Sequence, residues 1–451
     1  MTLPTELAAY LAKHPETRFV DAVLYDLCGT AIGKRVPVRD AAKLWTSGVA
    51  FCAGITTLDA LGACWDVNGI GFSDGDPDAT SYPLPGTLVP VTWAEQPTAQ
   101  VQIAPAPPEG AESWWFDPRS LLARIVSRFE ELGLKPVVAC ELEFYLVDPT
   151  RDATGRVTPA RPVRSGRAPE APRVLAFDKL DEWAGILAEI DAACQAQGVP
   201  AGAATAEYGG AQFEVNLGHV DDPVLACDHA LMLRRIVKGV ANRHGLEATF
   251  MSKPFSDQSG SGLHIHASLV DAAGQNVFDE TTDDGDRLLG QAIAGLQATT
   301  YDAMAFFAPN LNAYRRFAPN QFVPVNTSWG INNRSVSFRV PMGGGKARRI
   351  EHRIAGADAN PYLVMAAMLA GFHHGLSKRL TPTDPSTGNA GEEADPDMPL
   401  RLWTALDRLE GSALMAEYFG TRYPAAYAAI KRSEFEAFMA DVLPREHDWY
   451  L

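Results

Sequence analysis

An α+β fold built on an antiparallel sheet is predicted by two features of this chain. Five short stretches alternate apolar with polar residues at the period of a β-strand. Helical stretches are mixed among them without strict alternation, which disfavours a doubly wound parallel sheet. Residues 137–146 place Glu141 and Glu143 on one face and Val138, Cys140, Leu142, Phe144 and Leu146 on the other. Residues 207–217 set Gln212, Glu214 and Asn216 against Phe213, Val215 and Leu217. Residues 260–269 set His264, His266 and Ser268 against Leu263, Ile265 and Leu269. The last two stretches, 333–340 and 348–354, carry arginines, and the second aligns Arg349, Glu351 and Arg353. Any one stretch alone is an ordinary half-solvated strand. The recurrence of carboxylates, histidines and arginines above apolar faces points to one sheet face that handles cations and phosphates.

Before these stretches, residues 1–112 form a first unit. An amphipathic helix (Leu7, Tyr10, Leu11) precedes strand-like segments at 19–27, 48–58, 86–91 and 99–103. Pro- and Gly-rich turns punctuate it at 75–78 and 104–110, and the second run is the best domain boundary. Residues 113–451 form the second unit. It opens on a helix capped by Asp117, with Pro118 in the first turn and Gly133 as a stop; Leu121, Leu122, Ile125, Phe129 and Leu132 make its buried stripe. Further helices are expected over 181–197, 223–244 and 360–374, the last with Gly375 behind it. Residues 151–173 and 381–399 read as solvated loops, and no internal repeat occurs.

Composition narrows the function class. With 451 residues, 46% of them hydrophobic, the chain holds more than one typical core. A net charge of −16 argues against a nucleic-acid partner. No apolar run is long enough to span a membrane, and the N-terminus lacks a signal-peptide pattern. Cys28, Cys52, Cys64, Cys140, Cys194 and Cys227 include no Cys-x-x-Cys pair, as expected of reduced thiols in a cytoplasmic protein.

The chemistry follows from the residue types. Glu141, Glu143, Glu207, Glu214 and Glu351 are oxygen ligands, with His264 the best nitrogen ligand. Such a set suits Mg²⁺ or Mn²⁺ better than structural zinc. Converging carboxylates repel unless cations sit among them. Arg316, Arg334, Arg339, Arg349 and Arg353 are planar forks for phosphate and carboxylate oxygens. Metals with arginines suit phosphoryl transfer. No P-loop is present; residues 343–346 lack its spacing and read as a turn that lets Lys346 reach a nucleotide.

At these residues the chain resembles the glutamine synthetase family over nearly its whole length. The motifs are Glu-x-Glu at Glu141 and Glu143, the pair Glu207 and Glu214, Lys253-Pro254 with Gly260 to His266, Asn312-x-Tyr-x-Arg316, Asn333-Arg334-Ser335, and Arg349-x-Glu351-x-Arg353. The resemblance implies a small β-grasp-like N-terminal domain followed by a catalytic domain with a curved antiparallel sheet flanked by helices. It implies two or three Mg²⁺ (or Mn²⁺) per site, one held by Glu143, Glu207 and Glu214 and another by Glu141, His264 and Glu351. His266, Arg339 and Arg349 would contact the phosphates of ATP, with Lys346 and Ser268 near the nucleotide. Arg316 and Arg353 would hold glutamate beside Gly260, and Arg334 would stabilise the transferred phosphoryl group. Catalytic roles thus fall to Arg334, Arg339 and Glu207. Subunits of the family form two stacked six-membered rings.

Departures from the family pattern strike the ammonium residues and spare the metal and ATP residues. The Asp-Gly-Ser-Ser segment of ammonia users is absent, and residues 55–62 stand there. The position of their flap glutamate is Phe322, which cannot take a proton. The Pro-Gly-Gln motif is Gly210-Ala211-Gln212, and the adenylylated Asn-Leu-Tyr motif is missing near 399–403. The pattern is closest to the γ-glutamylpolyamine (γ-glutamylputrescine) synthetase branch, with a small organic amine as nucleophile. Phe322 and Trp329 are candidates for the amine pocket, although Trp329 equally suits a core or interface, and Asp59 and Glu207 are candidate bases. The alternatives are an ordinary ammonia-using glutamine synthetase, a non-catalytic scaffold or sensor of that fold, and a metal-dependent phosphate-ester hydrolase.

Overall fold

In the computed structural model, residues 3–67, 69–153, 155–162, 165–166 and 174–451 are described, and two sheets organise them. The first joins β1 (Phe19–Tyr25), β2 (Ala31–Pro37), β3 (Val49–Cys52), β4 (Asp78–Pro83), β5 (Val89–Pro90) and β6 (Thr98–Pro105). Its order is β2-β1-β6-β4-β3, with β5 on β6. β1 runs antiparallel to β2 and parallel to β6, a mixed pairing suited to a β-grasp-like unit. The helix Thr5–Lys13 covers it through Leu7, Tyr10 and Leu11. The strand expected over 48–58 stops at Cys52, because Ala53–Thr57 closes into a buried 3-10 turn. β2 and β4 were not foreseen. β2 carries Gly33, Lys34 and Arg35 at its centre, so pairing with β1, and not its own periodicity, makes it a strand.

The second sheet holds β7 (Lys135–Val147), β8 (Ala201–Ala206), β9 (Gln212–Leu217), β10 (Glu247–Thr249), β11 (Leu263–Val270), β12 (Trp329–Ile331), β13 (Phe338–Val340) and β14 (Ile350–His352). The order is β12-β13-β14-β11-β7-β9-β8, with β10 on β7, antiparallel except for the β12–β13 pair. All five alternating stretches therefore do contribute to one sheet. Its apolar face, with Leu142, Phe144, Phe213, Leu263 and Ile265 fully buried, packs into the main core. Each such side chain contributes roughly 1.5–3 kcal/mol.

The helices Pro118–Ser127, Pro223–Arg243, Gly285–Phe307 and Pro361–Lys378 share that core. Asp117 caps the first by accepting from the Ser120 N–H at 2.8 Å, as its sequence position predicts. That helix ends earlier than Gly133, which instead closes a following 3-10 turn in the left-handed region, and Leu132 is exposed. The helix expected over 181–197 is divided at Trp183. Gly375 does not end the helix Pro361–Lys378. A Cβ there would lie 1.9 Å from the Gln291 carbonyl oxygen, so Gly375 serves a close crossing with Gly295 of the helix Gly285–Phe307. The loop reading of 151–173 falls partly on residues 154, 163–164 and 167–173, outside the described residues.

Asp228 ties the parts together. It accepts from Arg119 at 3.0 and 2.9 Å and from Gln102 at 3.0 Å, and Tyr362 donates its hydroxyl to it. These partners lie on two other helices and on β6. Asp228→Ala is expected to cost about 3 kcal/mol, because it leaves Arg119 and buried amide and hydroxyl donors without their acceptor. Urea denaturation at fixed protein concentration measures this; a loss below about 1 kcal/mol would contradict it.

Candidate active site

Strand register builds the polar face. Glu141 on β7 stands opposite His264 on β11 and Asn216 on β9, and Glu143 opposite Glu214. His266 stands opposite Glu351 on β14, which stands opposite Arg339 on β13. Directly paired residues share a face, so four strand pairings gather carboxylates and imidazoles from positions 141 to 351. Glu207 follows β8 and keeps the alternation; its N–H donates to the Gln212 carbonyl at 3.0 Å.

The contacts divide the face into two halves. In one, His266 Nε2 lies 2.9 Å from Glu141, and His264 Nδ1 lies 3.6 Å from Glu141 and 3.8 Å from Glu351. Arg339 pairs with Glu351 at 2.7 Å, and Arg353 pairs with its other oxygen. Arg349 donates Nε to His266 Nδ1 at 3.0 Å, so Nδ1 accepts and Nε2 is the ring nitrogen turned toward Glu141. Burial opposes ionisation of Glu141, but the histidine hydrogen bonds outweigh it and hold the carboxyl well below its usual range. Burial likewise opposes ionisation of Glu351; Arg353, His264 and their neighbours nevertheless draw it down to about 2.

The other half is acidic and under-neutralised. Burial together with Glu214 and Glu207 pushes Glu143 up to about 8. Burial and Glu141 push Glu214 up to about 7. Burial also raises Glu207, against the pull of Lys179 and Arg334. These carboxylates are costly to ionise together until a cation joins them. Ligand atoms of Glu141, Glu214 and His264 lie within 4.8 Å of one another, and so do those of Glu141, His266 and Glu351. A donor set this rich in carboxylate oxygen fits a hard divalent cation. Glu143 joins neither close group and holds the Gly262 N–H at 2.8 Å.

Arg316 packs against Gly260, and Arg353 is near enough for its charge to oppose that of Arg316. A Cβ on Gly260 would lie 2.8 Å from Arg316 Cγ, so only glycine admits the arginine there. Arg316 donates to the Ile354 carbonyl at 3.0 Å, and burial lowers its pKa. Nε of Arg316 and of Arg353 are both buried without an acceptor, an arrangement ready for a ligand carboxylate. Ser268 follows His266 on the same face of β11, and Lys346 is exposed on the turn Gly345–Ala347.

Arg334 is exposed on a turn whose form depends on a distant segment. Asn333 donates to the carbonyls of Ser386 and Gly388 at 3.2 and 2.8 Å, and Ser335 accepts from the Ala390 N–H. Residues 381–399 are therefore a buttress for this turn as well as a loop. Phe322 is 60% exposed and lies beside Tyr208, with ring centroids 6.3 Å apart at 30°. Trp329 does not join it. Trp329 pairs with Phe338 on the apolar side of the sheet and donates its indole N–H to the Thr383 carbonyl at 2.7 Å. Asp59 is spent on its own loop, accepting from Leu61, Ala63 and Trp65. Sequence reasoning missed Lys179, which donates to the carbonyls of Glu207 and Gly209 at 2.7 and 2.6 Å; nothing in its surrounding helical sequence signals this.

Residues 116–450 match the family model of the glutamine synthetase catalytic domain. Gamma-glutamylputrescine synthetase PuuA of Escherichia coli (strain K12) is 39% identical over 447 residues, covering 99% of this chain and 94% of that protein. Glutamate–isopropylamine ligase of a Pseudomonas species is 32% identical, covering 80% and 78%. A solved structure of a GmaS/ADP complex, in its first conformation, matches with a TM-score of 0.83 at 26% identity, covering 99% of each chain.

Proposed function

The chain belongs to the glutamine synthetase family, and we propose that it is an ATP-dependent glutamate–amine ligase whose nucleophile is a small organic amine such as putrescine. The reaction consumes glutamate, ATP and the amine and releases a γ-glutamyl amide, ADP and phosphate. The γ-carboxylate of glutamate attacks the terminal phosphorus of ATP and forms an acyl phosphate. The amine then attacks the acyl carbon and expels phosphate, losing a proton as the amide forms.

Arg316 and Arg353 orient glutamate beside Gly260, and their unpartnered Nε atoms support that role. Arg339, Arg349 and His266 hold the nucleotide's phosphates, with Ser268 and Lys346 beside them, while Arg334 reaches the transferred group from its buttressed turn. Glu143, Glu207 and Glu214, and Glu141, His264 and Glu351, are the carboxylate-rich sets that would hold Mg²⁺ or Mn²⁺. Bound divalent cations supply neutralisation of phosphate charge during transfer. Of the two candidate bases, the Asp59 carboxylate is already occupied on its own loop, which leaves Glu207 to take the amine's proton.

One observation carries the choice of amine over ammonia: at position 322, where an ammonia user carries its flap glutamate, an exposed phenylalanine pairs with the Tyr208 ring and presents apolar surface in place of a proton acceptor. The names of the two amine-ligating relatives support the same reading. Residues 1–112 are read as the N-terminal domain. Exposed Phe438, Met439, Val442, Leu443, Trp449 and Tyr450 support assembly with further copies, for which two stacked hexameric rings are the family's model. No helix among the described residues is long and apolar enough to cross a membrane, and six unpaired thiols fit the cytoplasm.

Glutamate-dependent phosphate release from ATP tests the reading with ammonium, putrescine, spermidine, ethanolamine and methylamine. An organic amine is expected to give the highest kcat/KM. Ammonium ranking first would return the protein to the ordinary synthetases, and no turnover with any amine would favour a scaffold.

A further inference from the structure

Behind the catalytic sheet, away from its carboxylates, the β1–β2 hairpin and the helix Pro223–Arg243 enclose a cleft of about 520 Å³. Small residues make the room. Ala31 and Gly33 stand opposite Tyr25 and Val23 in the hairpin. A Cβ on Gly33 would lie 1.9 Å from the Ala22 carbonyl oxygen, so no larger residue enters there without separating the strands. Gly239 does the same at the other wall: a Cβ would lie 2.1 Å from the Trp93 indole nitrogen, and the bare backbone lets the Trp93 ring lie against the helix.

The charge of this cleft is unbalanced. Lys34, Arg35, Arg234, Arg235 and Lys238 line it, and among the described residues Asp21 is the only acidic one that does. Asp21 accepts from Arg35 and from Arg235, each at 2.7 Å, so its carboxylate is already shared. Arg234 is 6% exposed; among the described residues its hydrogen bonds go only to the carbonyls of Ala357 and Ala359 at 2.5 and 2.6 Å, its guanidinium lies over the Phe250 ring, and its Nε has no acceptor. Its contrast with Arg119 is informative. Burial opposes the charge on both, but the Asp228 carboxylate raises the pKa of Arg119, whereas Arg234 is pushed down to about 10. Lys238 has no hydrogen-bond acceptor among the described residues. Nearby, Asp26 is engaged with the N–H groups of Cys28 and Thr30, and Asp358 with Ser252 and Asn310.

We propose that this cleft is a second ligand site, for a small organic dianion, with Lys238, Arg234 and Arg235 facing the negative groups and Trp93 against the carbon skeleton. Dicarboxylates and phosphate monoesters share that chemistry. A guanidinium whose hydrogen bonds go only to carbonyls gains most from an incoming anion. The proposal does not depend on which amine the catalytic site uses.

Equilibrium dialysis of the assembled protein with radiolabelled succinate, and separately with glycerol 2-phosphate, tests it. Saturating glutamate is kept present so that the catalytic carboxylate site is filled. At least one probe is expected to bind saturably, and Lys238→Met is expected to weaken that binding tenfold or more while leaving turnover without the probe within twofold. Succinate alone binding marks a dicarboxylate site; glycerol 2-phosphate alone marks a phosphate-monoester site; both binding leaves the shared anion chemistry. Saturable binding of neither probe, or binding that Lys238→Met leaves unchanged, overturns the proposal.

Discussion

Glu351→Ala is expected to lower kcat by ~10²-fold or more, because it removes a ligand-bearing charge and the counter-ion of two arginines together. Glu351 is 1% exposed, pairs with Arg339 and Arg353, and lies 3.8 Å from His264. Without it, two guanidiniums and an imidazole face one another in a buried setting, so stability falls as well. Arg334→Ala should lower kcat to a similar degree for a different reason. Arg334 is exposed and has no hydrogen-bond partner among the described residues, so its removal leaves the folded chain intact and costs only the charge it brings to the phosphoryl group. Steady-state kinetics paired with urea denaturation separates the two cases. A loss under fivefold in either variant would mean that the roles are misassigned.

Phe322→Glu is expected to shift selectivity toward ammonium by roughly tenfold or more in the ratio of kcat/KM values, within the range a positioned general base supplies. The substitution puts a proton acceptor beside Tyr208 and removes the ring assigned to the amine's carbon chain. Phe322 is 60% exposed and buries little, so the exchange should be tolerated by the fold. An ammonium-to-putrescine ratio that stays where it was would remove Phe322 from the amine pocket.

The polar face was legible because period-2 alternation fixes a side chain's face without knowledge of its neighbours. Glu141, His264 and Glu351 could be placed together once their stretches were taken as strands of one sheet, and the pairings agree. Trp329 escaped because its face depends on which strand pairs with it: alignment with Phe338 turns it toward the core. Lys179 escaped because its partners are backbone carbonyls, which sequence patterns do not mark. Gly375 misled for a related reason. A glycine behind an apolar run signals a helix stop unless another helix passes within contact distance, and Gly295 does. The segment 381–399 has the composition of a solvent-exposed loop, yet its carbonyls hold Asn333.

Because the donors converge through pairings between β7, β9, β11 and β14, residues far apart along the chain must meet before any cation can be coordinated. Such long-range closure is slow, since loop entropy is lost before the contacts repay it. A newly made chain therefore completes this donor set late, in step with the finished sheet. A slip of one residue in β11 would turn both histidines into the hydrocarbon interior and send Ile265 outward, so an intact donor set marks correct threading of the sheet.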